Sequence, residues 1–407
     1  MEKQLMPQLR FPEFDGVWHS VKLSNISNKV GYGIGSSAVQ FDGVNQYLRI
    51  TDIDESSNQF SPKPLTSPEG KIDEKYYLKK GDIVFARTGA SVGKSYIYDE
   101  KDGVIVFAGF LIKFSIIKAV PKFIFYSTLT SKYWQWVQVM SMRSGQPGLN
   151  AEELKSFKIN TPTLQEQQKI ASFLTDVDAK ITKLTKKKEL LEQYKKGIMQ
   201  KIFNQELRFK DDEGKEFPKW EEKQLKNVAT FRRGSFPQPY GLPKWYDNDN
   251  GIPFVQVYDV DDNMLLKPTT KNKISALGAE QSVFVEKGSL VLTIQGSIGR
   301  IAKTQYDAYV DRTLLIFKSF KKPINIDYFK YVLFLLFEIE KRKAPGGIIK
   351  TITKEVLSSF NVMLPSIEEQ TKIANFLSDI DAKNEALNTK IEQSKAFKKG
   401  LLQQMFV

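Results

Sequence analysis

Residues 162–203, PTLQEQQKIASFLTDVDAKITKLTKKKELLEQYKKGIMQKIF, return without a gap as residues 365–406, PSIEEQTKIANFLSDIDAKNEALNTKIEQSKAFKKGLLQQMF. Of these 42 aligned pairs 20 are identical, among them Gln167 with Gln370, Ala171 with Ala374, Asp178 with Asp381 and Gly197 with Gly400. The echo extends outward. Leu9-Arg10-Phe11 reappears as Leu207-Arg208-Phe209, Trp18 as Trp220, and YLRITDI from Tyr47 as FVQVYDV from Phe254, a shift that also pairs Gly81 with Gly288. A period of domain size is too long for a solenoid or propeller. It reads as a dimer fused into one chain with an internal pseudo-two-fold axis. Residues 1–161 and 206–364 form the two globular segments, and 162–205 and 365–407 the two long helices.

Within the helices, Ile170, Val177, Leu184, Leu191 and Ile198 fall seven apart, with Leu174, Ile181 and Ile202 between them. The second copy places Ile373, Ile380, Leu387 and Leu401 on the same rows, with Leu377, Ile391 and Met405 between. A seven-residue apolar repeat is the seam of a coiled helix pair. Lys188, Lys195, Asn384 and Ser394 interrupt it, which weakens packing but can set register. Pro162-Thr163 and Pro365-Ser366 are start signals. With Glu166 and Glu369 three residues after the hydroxyl, each start has the spacing of a reciprocal capping box. About 38 residues of helix extend about 57 Å at 1.5 Å per residue, a spacer length. Antiparallel pairing inside one chain is expected, because a fused dimer carries its two heads to opposite ends.

Composition bounds the rest. The 407 residues carry 41% apolar and 12% aromatic side chains, enough for real cores. No apolar run reaches the roughly 20 residues of a membrane span, and the first residues, MEKQLMPQLRF, do not resemble a secretory signal. No membrane association is expected, and a cytoplasmic location is. The chain has no cysteine, which excludes disulfides, thiolate nucleophiles and Cys-based zinc sites. The one histidine, His19, is read as a surface residue. The net charge of +13 is shared, with 29 Lys and Arg against 21 Asp and Glu in residues 1–205 and 31 against 26 in the remainder. That balance favours a polyanionic partner.

Each globular segment reads as mixed α/β. KLSNISNKV, QYLRITDI, DIVFART, KSYIYDE and VIVFAGFLIKF are expected strands of the first, and GIPFVQVYDV, SLVLTIQ, RIAKTQYDA and LLIFKSF of the second. FIFYSTLTSKYWQWVQVM and YFKYVLFLLFEIEKR are expected helices. The segments diverge outside their aligned islands, and residues suited to base edges gather in their loops and at the matching strand positions of Arg49 with Gln256 and Thr51 with Tyr258. In the first segment these are Arg49 and Thr51, then Arg87, Thr88, Ser91 and Lys94, then Arg143, Ser144 and Gln146. In the second they are Arg232 and Arg233, Gln256 and Tyr258, Gln295, Ser297 and Arg300, then Lys350 and Thr351. Arginine pairs bidentately with guanine and glutamine with adenine.

Two glycine motifs mislead. TGASVGKS at 88–95 has three residues between its glycines where a phosphate-binding loop has four, and a strand-like SYIYDE follows where that loop needs a helix. GYGIG at 31–35 lacks the dinucleotide spacing. Neither the signature tetrapeptides of amino-methyltransferases nor a nuclease core is present, so chemistry is expected from another chain.

Leu9–Phe14 with Trp18, the islands KKGDIVFARTGASVGK (79–94) and EKGSLVLTIQGSIGR (286–300), and above all the paired EQ-KIA-FL-D-DAK blocks resemble the specificity subunit of a type I restriction-modification enzyme. The resemblance covers nearly the full chain. It implies two target-recognition domains of mixed α/β (α+β) fold joined by two long antiparallel coiled-coil helices. It further implies that each domain reads one half of an asymmetric bipartite site in double-stranded DNA, and that the helices dock two modification (methyltransferase) subunits. Restriction subunits would join the full complex. By the same resemblance the chain is a non-catalytic recognition subunit that holds no cofactor of its own, with S-adenosylmethionine, ATP and Mg in its partners. Gln167, Ile170, Phe173 and Leu174, with Gln370, Ile373, Phe376 and Leu377, would lie in the family's helical regions and serve helix or subunit contacts. The competing reading is a two-headed coiled-coil scaffold that binds proteins.

Overall fold

The computed structural model describes residues 6–142, 146–343 and 352–407, and the chain divides into two compact units, Met1–Lys188 with Leu387–Val407, and Glu189–Ala386. Each long helix therefore contributes to both. The first helix, Leu164–Phe203, gives its early turns to the first unit and its last to the second; the second helix, Ile367–Gln404, does the reverse.

In the first unit a four-stranded sheet runs in the order Ser27–Tyr32, Leu111–Ile116, Asp82–Ala86, Ser95–Ile97, all neighbours antiparallel. Both its faces are covered, and the two-residue period of DIVFA shows how. Ile83 and Phe85 point into one cluster with Ile112, Phe114, Phe123 and Tyr133, while Val84 and Ala86 point into another with Leu48, Tyr96 and Leu111. The second unit repeats this with Ala229–Arg233, Leu314–Phe320, Leu290–Thr293 and Ile301–Lys303. There Leu290 and Leu292 join one core, Val291 the other.

Several expected strands are shorter than their sequence pattern. QYLRITDI is strand only over Gln46–Leu48, after which Ile50–Asp52 forms a single 3-10 turn. FVQVYDV behaves alike, with a 3-10 turn at Val257–Asp259. The cause is local: the Asp52 and Asp259 carboxylates turn back to accept from the backbone N–H of Arg49 and Gln256, 2.9 and 2.8 Å away. KLSNISNKV contains a short helix, Leu23–Ile26, and VIVFAGFLIKF breaks at Ala108-Gly109-Phe110. The expected single helix in residues 123–140 is two, Pro121–Ser127 and Ser131–Ser141, the second opened by Thr130, whose hydroxyl accepts from Tyr133 N–H.

Gly33 and Gly234 occupy equivalent bends after the first strand of each sheet. A methyl group would overlap the carbonyl oxygens of Phe107 and Ala108 at Gly33, and of Val310 and Asp311 at Gly234. Gly33→Ala and Gly234→Ala should each destabilise their own head by at least about 2 kcal/mol. A loss of hydrogen-exchange protection at strand Leu111–Ile116 for the first variant or Leu314–Phe320 for the second reads this out, and unchanged protection in both would refute it.

The helices pair antiparallel within each unit. In the first, Asp178 meets Lys398 at 2.7 Å and Lys188 meets Asn388 at 3.1 Å, so ten residues up one helix is ten residues down the other. In the second, the last turns of the first helix (Leu191, Ile198, Met199, Ile202) share a core with the first turns of the second helix (Ile373, Leu377, Ile380), and Lys195 pairs with Asp381. Two of the four polar interruptions of the heptad pattern are thus cross-helix bonds. Ser394 bonds its own helix at Lys390 O, and Asn384 Oδ1 is buried without a hydrogen-bond partner among the described residues.

Candidate nucleic-acid interface

In both units the described loops that carry candidate residues meet at one end of the four-stranded sheet, and strand register dictates the meeting. In the first, Asp82–Ala86 pairs antiparallel with Leu111–Ile116, Ala86 opposite Leu111. The turn leaving the former therefore lies beside the turn entering the latter. Arg87 N–H donates to Phe110 O at 3.0 Å. Ala108 N–H donates to Leu48 O at 3.0 Å, which sets the Arg49–Asp52 turn alongside. Residues 146–149 close the edge: Gly89 N–H reaches Pro147 O at 3.2 Å and Leu149 N–H reaches Arg87 O at 2.8 Å. Arg87, Thr88 and the exposed Gln146 are thereby brought together, with Tyr32 at the end of the adjacent strand.

The second unit reproduces the frame with different residues. Ile294 N–H donates to Thr313 O at 2.9 Å, and Asp311 N–H to Val255 O at 3.0 Å, the counterparts of the Arg87 and Ala108 bonds. Gln295 and Ser297 are exposed on the turn, and Arg232 and Arg233 at the end of the neighbouring strand.

Other candidates are held inside the fold. Arg49 forks onto Asp52 with contacts of 2.8 and 2.9 Å, leaving Thr51 the exposed member of that turn. Gln256 is buried, its amide oxygen accepting from Tyr258 Oη and, at 2.9 Å, from Asn272 Nδ2. Tyr258 itself is pushed up to about 12 by burial and then by the Asp259 charge. Lys94 is 7% exposed, so most of its side chain is enclosed. Ser91 ends the short turn Gly89–Ser91 and is partly covered. Arg300 is paired to Asp262 at 2.9 Å. Arg143, Ser144, Lys350 and Thr351 lie outside the described residues. Tyr32, Tyr240 and Arg312, at the same sheet ends, escaped sequence reading because only the register brings them to the candidate loops.

The helix residues divide by task. Gln167 is 3% exposed; its Oε1 accepts from Val120 N–H and its Nε2 donates to Pro162 O, both at 2.9 Å. Gln370 does the same with Asn325 N–H and Pro365 O at 3.0 Å each. Ile170 and Leu174 are buried in the first head's core, Ile373 and Leu377 in the second's. Phe173 packs edge-on to Phe11 and Phe376 to Phe209. These residues fasten each helix start to the head it follows. Val177 also packs on the first head's core, and Leu184 and Leu387 lie further along the paired stretch in the first unit. Leu401 returns to the first head's core from the second helix.

Glu166 and Glu369 take no part in the reciprocal capping expected of them. Thr163 and Ser366 hydroxyls do accept from the third-residue N–H, at 3.4 and 3.3 Å, but the carboxylates turn outward to Arg10 with Trp18, and Arg208 with Trp220. A charged acceptor 1% exposed requires a cation more than its own helix amide does. Beyond this clamp, Tyr126 Oη donates to Asp178 at 2.9 Å, and Tyr331 Oη to Asp381 at 2.6 Å. Burial, and then the neighbouring carboxylate, push both hydroxyls well above their ordinary range, so they remain donors. Tyr126–Asp178–Lys398 and Tyr331–Asp381–Lys195 are one network built twice, each tying a head to both helices of its unit.

Among the described residues no group of three or more His, Asp or Glu is placed to hold a metal, and no helix is long and apolar enough to cross a membrane. The family model of the type I restriction modification DNA specificity domain matches twice, at residues 17–193 and 218–395. The chain belongs to that family. It is similar to the MjaX specificity subunit of a type I restriction enzyme from Methanocaldococcus jannaschii, 28% identical over 341 residues, covering 81% of this chain and 78% of that one. The MjaVIII specificity subunit of the same organism is 24% identical over 364 residues, covering 85% and 83%. The fold is that of a type I S subunit from M. genitalium, with a TM-score of 0.63 at 14% identity over 99% of both chains. A structure described in work on assembly and conformational transition of the type I system matches at a TM-score of 0.54 and 18% identity, covering 95% and 96%. The chain is thus a type I DNA specificity subunit, a recognition component and not a catalytic one.

Proposed function

We propose that each head reads one half of an asymmetric bipartite DNA site and that the paired helices set the gap between the halves. The observation that carries this reading is the repeated sheet end: one backbone frame, presented twice, with Tyr32, Arg87, Thr88 and Gln146 in one copy and Arg233, Gln295 and Ser297 in the other. A shared sheet-end frame with different side chains fits two different half-sequences. Each half-site alone gives modest affinity. A stiff connection makes the second engagement intramolecular, raising joint affinity by about 10²–10⁴-fold when the spacing fits.

Two modification subunits would dock on the helical regions and supply S-adenosylmethionine, and restriction subunits would supply ATP- and Mg-dependent steps. The target adenine would leave the stack in the modification subunit's pocket. On this reading the complex would act on genomic DNA in the cytoplasm. Exchanging residues 1–161 for the first head of another family member should change one half of the methylated sequence and leave the other intact, as sequencing of methylated sites would show. A change in both halves would refute independent heads.

A further inference from the structure

Among the described residues, four arginines are tied to carboxylates and two are backed by a tyrosine ring. Arg10, Arg49, Arg208 and Arg300 each fork onto or pair with a carboxylate. Arg87 and Arg312 do not: the Arg87 guanidinium lies 4.9 Å from the ring centre of Tyr32, and the Arg312 guanidinium 5.2 Å from that of Tyr240. Neither guanidinium makes a hydrogen bond or ion pair with any described residue. Both rings face outward, 43% and 51% exposed. Tyr32 is fixed by its hydroxyl, which accepts from Ala151 N–H at 3.2 Å, and Tyr240 by Phe236, whose ring centre is 4.4 Å away.

Strand register puts these pairs at the same sheet end on neighbouring turns. Gly33 N–H donates to Leu111 O and Gly234 N–H to Leu314 O, so Leu111 corresponds to Leu314 and Gly109 to Arg312. At the position of Arg87 the second head has Ile294, which is 3% exposed. Each head thus presents one ring-backed guanidinium, but from a different turn. A ring face orders the cation without consuming its N–H donors, and the fork that remains matches the O6 and N7 acceptors of guanine.

We propose that Arg87, positioned by Tyr32, and Arg312, positioned by Tyr240, each read one guanine, one in each half-site, at non-equivalent positions within the halves. This rests on the reading that each head takes one half-site. It extends it to a base and to three residues, Tyr32, Tyr240 and Arg312, outside the sequence-derived candidates.

The test uses the assembled modification complex and duplexes carrying its methylation site, with each guanine replaced in turn by 7-deazaguanine, which lacks N7. In the wild-type complex one replacement in each half should lower kcat/KM roughly ten-fold. Arg87→Ala should abolish the penalty in one half only, and Arg312→Ala in the other only. Arg87→Lys and Arg312→Lys, which keep the charge but not the fork, should behave like the alanine variants. Tyr32→Leu and Tyr240→Leu should raise KM and shrink the same penalties. A half-site without guanine, or penalties that survive both arginine substitutions, would overturn the proposal while leaving the one-head-per-half reading in place. So would a uniform loss on all sequences with a shallower salt dependence, the mark of a phosphate contact. An Arg87 substitution that altered both halves would instead sink the underlying reading.

Discussion

Removing residues 184–190 together with 387–393 is expected to lower methylation at the native target at least about a hundred-fold and to move the best remaining sites to a gap about three base pairs shorter. Seven residues at 1.5 Å each shorten a helix by about 10 Å, and about 10 Å is three base pairs at 3.4 Å. The Lys188–Asn388 contact places the two deleted stretches opposite each other. Asp178–Lys398 and Lys195–Asp381 lie outside them, so both head networks survive. A heptad also returns the helix face to within about 20°, whereas three base pairs turn the duplex by about 100° at 10–10.5 base pairs per turn. The shortened protein should therefore work less well even at its new optimum. The loss on native sites follows from the avidity that a mismatched spacing forfeits. Deleting only one stretch should break the helix packing itself and abolish assembly. Sequencing of methylated sites decides the matter, and a native gap methylated at wild-type level would end the ruler proposal.

What could be read beforehand followed from repetition and period. The duplicated 42-residue blocks gave the two-unit plan, and the seven-residue rows gave the paired helices. The charged positions within those rows were legible as interruptions, while their destinations were not. Lys195 finds Asp381, and Lys398 finds Asp178, only once antiparallel pairing fixes which residues face. Arg10 and Trp18 were visible as echoes of Arg208 and Trp220 without a reason; their shared carboxylate supplies it. The candidate interface was less legible. Gln256 looked like a base reader because its neighbours alternate as in a strand, but the Asp259 carboxylate bends the chain into a turn that buries it. Arg312 sits in a turn between two strands with no motif around it, and only the pairing of Leu314–Phe320 with Leu290–Thr293 brings it to the sheet end.

Arg10→Met and Arg208→Met should each cost their own unit about 3–5 kcal/mol, because each leaves a buried carboxylate without its cation. Arg10 Nε and Nη2 meet Glu166 at 2.8 and 2.7 Å while Nη2 also donates to Gly16 O at 2.6 Å, so one side chain satisfies the glutamate and holds the entering chain. Arg208 binds Glu369 at 3.1 and 2.7 Å and Pro218 O at 2.7 Å. Glu166 and Glu369 are 1% and 0% exposed, so water cannot replace the lost donors. For units of this size a loss of that order lowers Tm by on the order of 10 °C. The double variants Arg10→Met/Glu166→Leu and Arg208→Met/Glu369→Leu remove the charge with its partner and should recover most of the stability, since an apolar pair of similar volume often replaces a buried ion pair without loss. A shift below about 2 °C for the arginine variants would show that the clamp is not what secures the helix starts. Because Glu166 opens the helix that follows the first head and Glu369 the one that follows the second, each variant should loosen only its own head. In the assembled complex, discrimination should fall in the half-site read by that head, and the double variant should restore it together with the melting temperature.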